Sequence, residues 1–152
     1  MKKVAALGLD VGKKRLGVAG CDGTGLIATG LTTIYRTSWA EDLEQLKNII
    51  QEREIKILII GLPYNLDGTV GFQAKQVQKF ANKISSSLQL PIEYVDERLT
   101  SVEAEAQLKS QKNFSTRNKG AVDRRAAAII LQQWLDMLRV KRMRDEESTD
   151  YR

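Results

Sequence analysis

Four carboxylates stand where this chain could do chemistry. Asp10 closes the apolar run Val4-Ala5-Ala6-Leu7-Gly8-Leu9, and Gly12 follows two places later. Asp96 and Glu97 close the stretch that begins at Pro91. Asp123 is the only acid between Glu105 and Asp136. Each has a plain structural explanation. Asp-x-Gly is common in turns, an acid in a first helical turn favours the helix dipole, and Asp96 and Glu97 could be a solvated strand end or partners for Arg98. Drawn together, three carboxylates repel strongly. A divalent cation neutralises that repulsion, and hard oxygen ligands suit Mg²⁺ or Mn²⁺.

What the chain lacks sharpens the point. It contains no histidine, which excludes Ser-His-Asp triads, Cys-His pairs, histidine-ligated zinc and histidine general bases together. Hydrolytic chemistry would then rest on carboxylates, on lysine or on a carboxylate-bound metal.

Cations crowd the same stretches. Lys13, Lys14 and Arg15 follow Asp10, and Lys109, Lys112, Arg117, Lys119, Arg124 and Arg125 surround Asp123. The net charge is +5 and the pI about 9.4, which permits a polyanionic partner without proving one. One reading is a solvated basic face. The other is a positive flank around a carboxylate–metal centre, as phosphodiester cleavage requires. Metals would activate water and hold the scissile phosphate, while the cations track the backbone.

The elements that must position these groups follow from periodicity. A short continuous apolar run reads as a strand buried on both faces, so residues 4–10 predict a central strand. Residues 14–20 and 26–35 predict two more strands, paired back antiparallel through tight turns. Ser38-Trp39-Ala40-Glu41 matches a capping box and opens a helix to about residue 53. Residues 56–61 predict a buried strand reached by a helical crossover, hence parallel to the one it joins. A second helix carries Phe72, Val77, Phe80, Ala81, Ile84 and Leu88 on one face, and residues 91–97 predict a fifth strand. Another capping box, Thr100 to Glu103, opens a short helix to about residue 110. Residues 111–119 read as a basic loop, and the last helix runs from about Gly120 to Arg139.

The order βββ-α-β-α-β-α-α fits an α/β fold: one mixed five-stranded sheet with helices on both faces. Sites in open α/β sheets lie beyond the carboxyl ends of parallel strands. Asp10 meets the acids of the fifth strand there if those two strands are neighbours. Alternation along a strand lets only one of Asp96 and Glu97 face the site.

The 152 residues suffice for one domain with a core. Residues 1–139 are the expected domain, and 140–152 a charged, frayed tail. The apolar runs are too short to span a bilayer, and Met1-Lys2-Lys3 is not followed by the h-region of a signal peptide. The single cysteine, Cys21, excludes an intramolecular disulfide. The expectation is a cytoplasmic protein with no membrane partner.

Four motifs in order and spacing now carry a resemblance. They are Gly8-Leu9-Asp10-Val11-Gly12 with Arg15-Leu16-Gly17-Val18-Ala19; Gly61 to Thr69; Val95-Asp96-Glu97-Arg98-Leu99-Thr100-Ser101; and Lys119-Gly120-Ala121-Val122-Asp123 with Ala126 to Leu131. Over residues 4 to about 135 the chain resembles the YqgF family of bacterial pre-16S rRNA nucleases, related to the RuvC Holliday junction resolvases. The resemblance implies an RNase H-like fold and a nuclease using acids with Mg²⁺ or Mn²⁺. Matched by motif, the catalytic and metal-holding residues fall on Asp10, Glu97 and Asp123, with Asp96 the second choice for the middle position. It implies maturation of the 16S rRNA 5′ end during ribosome assembly. The expected partners are therefore pre-16S rRNA and the assembling small subunit, with the chain as a monomer or homodimer. Lys14, Arg98, Lys119 and Arg124 are the expected nucleic-acid contacts.

Three other readings share some of these features. A resolvase on branched DNA has the same fold and metals but works as a symmetric dimer. A sugar-kinase or actin-like ATPase also places a strand-one Asp-x-Gly against phosphates, but needs two such domains. A nucleic-acid-binding assembly factor would keep the basic face and cleave nothing.

Overall fold

The computed structural model describes residues 4–65, 67–96 and 119–150. Its five strands are β1 (Ala6–Val11), β2 (Arg15–Cys21), β3 (Ala28–Tyr35), β4 (Ile57–Leu62) and β5 (Ile92–Asp96). They form one sheet in the order β3-β2-β1-β4-β5. β1 pairs antiparallel with β2, and β2 with β3. β1 pairs parallel with β4, and β4 with β5. The continuous apolar run predicted a central strand, and β1 is the middle one of the five.

One placement differs from the simplest expectation. β1 and β5 are not neighbours, because β4 lies between them. The two hairpins leave β1 a single free edge, since β2 occupies the other. The first crossover strand takes that edge and offers the next strand only its own outer side. The end of β5 therefore stands two strand spacings from Asp10, about 9–10 Å.

Helices α1 (Trp39–Arg53) and α2 (Phe72–Leu88) cover one face, and α3 (Lys119–Asp150) covers the other. Ser38 caps α1 as its motif predicts, with Oγ accepting from the Glu41 N–H at 3.2 Å. Ala74, Val77, Phe80, Ala81 and Ile84 form the buried face of α2. Phe72, expected on that face, is 73% exposed, because it sits in the first turn beyond the edge of the core. The α1/α2 core is built from large aliphatics, among them Leu7, Leu9, Leu16, Leu58 and Ile60. The α3 core mixes four alanines, Ala6, Ala19, Ala127 and Ala128, with Val4, Ile59, Val95, Ile130, Leu131 and Leu135.

α3 also runs farther than its apolar spacing predicts. Residues 140–150, expected as a frayed tail, continue the helix to Asp150. They contain no glycine or proline, and Val140 to Glu147 are mostly strong helix formers. Asp136 and Arg139 add an i,i+3 ion pair. The short helix expected at residues 100–110 and the basic loop up to residue 118 lie outside the described residues. No helix among the described residues is long and apolar enough to cross a membrane.

Candidate active site

Strand alternation decides which way Asp10 faces. Leu7, Leu9 and Val11 point into the α1/α2 core. Ala6, Gly8 and Asp10 therefore point to the α3 side, where Ala6 is packed. Asp10 is half-buried near the end of β1.

Its partner across the hairpin is Gly17, and Gly17 is where the first turns of α3 land. A Cβ built on Gly17 would lie 2.0 Å from the Asp123 carbonyl oxygen and 3.2 Å from the Asp123 Cα. No side chain fits in that gap. The helix backbone thus touches the strand beside Asp10, and antiparallel neighbours are only about 5 Å apart. This contact sets the Asp123 backbone over the strand position that pairs with Asp10.

Arg15 fixes the second carboxylate. Its Nε donates to Asp123 Oδ2 at 2.5 Å, with the two side chains 28% and 18% exposed. It lies two residues before Gly17, so it projects to the same face as Asp10. Thr33, the β3 partner of Gly17, completes the row. Its hydroxyl donates to the Gly120 carbonyl at 2.7 Å and accepts from Arg124 Nη1 at 3.3 Å. One row across three strands, Asp10–Gly17–Thr33, therefore seats the start of α3.

The turn after Asp10 is held as firmly. The Gly12 N–H donates to the Arg15 carbonyl at 2.9 Å, and Arg36 Nη1 donates to the Gly12 carbonyl at 2.6 Å. A Cβ at Gly12 would sit 2.8 Å from the Arg15 oxygen, so only glycine fits this closure. Lys13 and Lys14 stand exposed at the tip of the turn.

The other expected residues are placed as follows. Arg124 lies over β3 through its bond to Thr33. Asp96 is in phase with Ile92 and Tyr94, which pack on the α1/α2 core, whereas Val95 packs on the α3 side. Asp96 therefore faces away from Asp10. Glu97, Arg98 and the Lys119 side chain lie outside the described residues.

The donor chemistry fits a hard divalent cation. Asp10 and Asp123 offer carboxylate oxygens, partly shielded from water, with no competing soft ligand beside them among the described residues. Among the described residues no three His, Cys, Asp or Glu side chains form a metal-holding group. Of the three expected carboxylates, Asp10 and Asp123 lie among the described residues and Glu97 does not. Thr33 was absent from the residues expected to build the site, and Arg15 was expected only as part of its basic flank. Alternation puts 15 on the face of 17, but the pairing of 33 with 17 and the landing of α3 there are set by the tertiary structure.

A mixed sheet in this order, with helices on both faces and an acid at the end of its central strand, defines an RNase H-like fold. Solved structures agree. The RuvC of Thermus thermophilus, in complex with a Holliday junction substrate, matches with a TM-score of 0.55 at 9% identity, covering 87% of this chain and 93% of that one. The Fowlpox virus resolvase bound to Holliday junction DNA matches with a TM-score of 0.53 at 12% identity, covering 88% and 97%. At such identities the likeness is one of fold.

Sequence comparison narrows the class. The family model described as RuvX, Holliday junction resolvase, matches residues 4–137. A protein of Rippkaea orientalis is 73% identical over 139 residues, covering 91% of this chain and all of that one. A Crocosphaera subtropica protein is 69% identical, covering 91% and 97%, and a Synechocystis protein 63% identical, covering 91% of each. All three bear the name "Putative pre-16S rRNA nuclease". The chain belongs to the RuvX family, the same family that its four motifs resemble under the name YqgF.

Proposed function

We propose that this protein is a divalent-cation-dependent endonuclease that hydrolyses phosphodiester bonds, acting on the 5′ end of pre-16S rRNA during assembly of the small ribosomal subunit in the cytoplasm. The observation that carries the reading is the seating of Asp123 on Gly17, beside Asp10. The rRNA substrate is supported by the names of relatives at 63–73% identity.

Asp10, Glu97 and Asp123 would hold Mg²⁺ or Mn²⁺. What supports Glu97 over Asp96 is that Asp96 shares a face with Tyr94, away from the α3 side. A bound cation supplies an activated water and a clamp on the scissile phosphate. Arg15 is a positioning residue: its bidentate-capable guanidinium holds Asp123 in one orientation. Lys14, Arg98, Lys119 and Arg124 are assigned to the phosphates flanking the cut. Residues 1–139 form the nuclease unit, and the end of α3 is an extension beyond it.

A second reading is favoured by the family description, a Holliday junction resolvase. Junction cleavage needs a homodimer to cut two strands symmetrically, whereas one copy suffices on an RNA end.

The test is incubation with Mn²⁺ or Mg²⁺ and either a 16S precursor fragment or a four-way junction. The expected result is metal-dependent cutting of the precursor, lowered on the order of 100-fold or more by Asp10→Asn. Equal cutting by wild type and Asp10→Asn would sink the site assignment. Cutting of the junction alone would move the chain to the second reading.

A further inference from the structure

β1 ends between two chemically different spaces. On the α3 side lie Asp10 and Asp123. On the opposite side, starting at Val11 and Gly12, a cleft of about 520 Å³ opens between the β1–β2 turn and the helices α1 and α2. Among the described residues four cations line it, Lys13, Arg36, Lys79 and Lys83, against one acid, Asp42. Asp42 is buried, its Oδ2 3.9 Å from Arg36 Nε, so that negative charge is screened at the floor. Lys13, Lys79 and Lys83 stand exposed at the rim.

Arg36 joins the two spaces physically. It donates to the Gly12 carbonyl at 2.6 Å and lies 4.5 Å over the Phe80 ring. Whatever occupies the cleft meets the same turn that closes β1 two residues after Asp10. The cleft also holds an aromatic face. Trp39 packs edge-on to Phe80, with centroids 5.8 Å apart, and the Lys83 ammonium sits 4.1 Å above its ring. That ammonium can leave the indole for a phosphate and free the ring for a base.

We propose that this cleft is a subsite for a single nucleic-acid strand, holding the nucleotides that flank the scissile phosphate after the strand crosses the end of β1. The inference rests on the nuclease reading for the position of the cut, and on the cleft alone for binding. Its volume is that of a small-ligand site, which suits about one or two nucleotides and excludes a duplex. The rim lysines supply phosphate contacts, and an aromatic ring stacks any base, so recognition is strand-specific and sequence-tolerant.

The test separates binding from cutting. Asp10→Asn protein is titrated with a single-stranded RNA oligonucleotide, with Trp134→Phe added so that fluorescence reports Trp39. Affinity is measured across a salt series. The expected result is quenching of Trp39, and a salt slope reduced by roughly two when Lys79→Ala and Lys83→Ala are introduced together. Neither lysine is part of the core, so the double variant retains the fold, which a thermal melt verifies. An unchanged slope and intact quenching in the double variant overturn the proposal. So does a duplex that competes as well as the single strand, or a mononucleotide that quenches as tightly as the oligonucleotide. Failure of the nuclease reading looks different: wild type and Asp10→Asn then cut alike, while slope and quenching still report on the cleft.

Discussion

The two faces of the sheet are packed by opposite means. Toward α1 and α2 the strands present Leu7, Leu9, Leu16, Leu58, Ile60 and Leu62, all essentially inaccessible to water. Such side chains hold a helix at a distance, and the cationic cleft opens on this side of the sheet at the end of β1. Toward α3 the strands present Gly8, Gly17 and Gly30. A Cβ at these positions would come within 2.8 Å of Leu131 Cβ, 2.0 Å of the Asp123 oxygen and 3.0 Å of Arg124 Cβ respectively. Here the helix backbone rests on the strands. A large-residue face contributes more hydrophobic free energy per contact, but a glycine face sets position. Asp123, the carboxylate proposed for the site, comes from the helix on the glycine face.

The largest expected effect breaks that seating. In Gly17→Ala the new methyl group meets backbone, which cannot swing aside as a side chain tip can. α3 must lift, taking Asp123 and its bond to Arg15 with it. A displacement of about 1 Å at reacting groups costs on the order of 100-fold in rate, with roughly 1–3 kcal/mol of lost stability from overpacking. Cleavage rate and denaturant midpoint, measured on one preparation, check this. Full activity in Gly17→Ala would show that the contact does not position the site.

The control on the opposite face is Leu58→Ala. Leu58 is completely buried among aliphatic neighbours, so the cavity costs about 2–5 kcal/mol. The site is untouched, and the rate per folded molecule should stay within about threefold of wild type, a difference of less than 1 kcal/mol in barrier. The expected contrast is stability lost with rate kept for Leu58→Ala, and rate lost with modest destabilisation for Gly17→Ala. Parallel losses of rate in both would erase the distinction between the faces.

The same contrast decides which features are legible in the amino-acid sequence. Apolar runs and alternation locate strands, and those of β1 to β5 fall within about two residues of expectation, because burial on one or both faces writes a period into the chain. The Ser38 cap is local and equally legible. The seat of α3 is not, since a glycine shows that something comes close without showing what. Gly17 is visible as part of a motif, but its contact with Asp123 spans more than a hundred residues of chain. The Arg15–Asp123 pair is hidden for the same reason. Asp10 and Asp123 can be proposed as companions, but choosing between the two acids at the end of β5 needs the register that turns Asp96 toward the other face.

The smallest effect lies at the far end of the α3 face. Cys21 ends β2 on that side, half-buried beside Val4, whose carbonyl is 3.8 Å from Sγ. Burial pushes its thiol above the ordinary value of about 9, and the Asp22 charge adds to this, against a backbone hydrogen bond from Ala6 and the nearby Arg53. Burial penalises the charged form, so the thiolate is rarer in the folded chain than in the unfolded one. At pH 8 the thiol should react with iodoacetamide more slowly than in urea-unfolded protein, by more than steric shielding of an otherwise ordinary thiol would give. A raised folded-state value means that any stability linked to Cys21 is fully present below pH 9 and declines as the pH climbs through the folded value. Cys21→Ser should therefore flatten the alkaline side of the stability profile slightly and leave cleavage unchanged, since the thiol stands at the opposite end of β2 from Arg15. An alkylation rate at pH 8 equal to that of the unfolded chain would show that this end of the face is open, and that close packing is confined to the strand ends where Asp123 is seated.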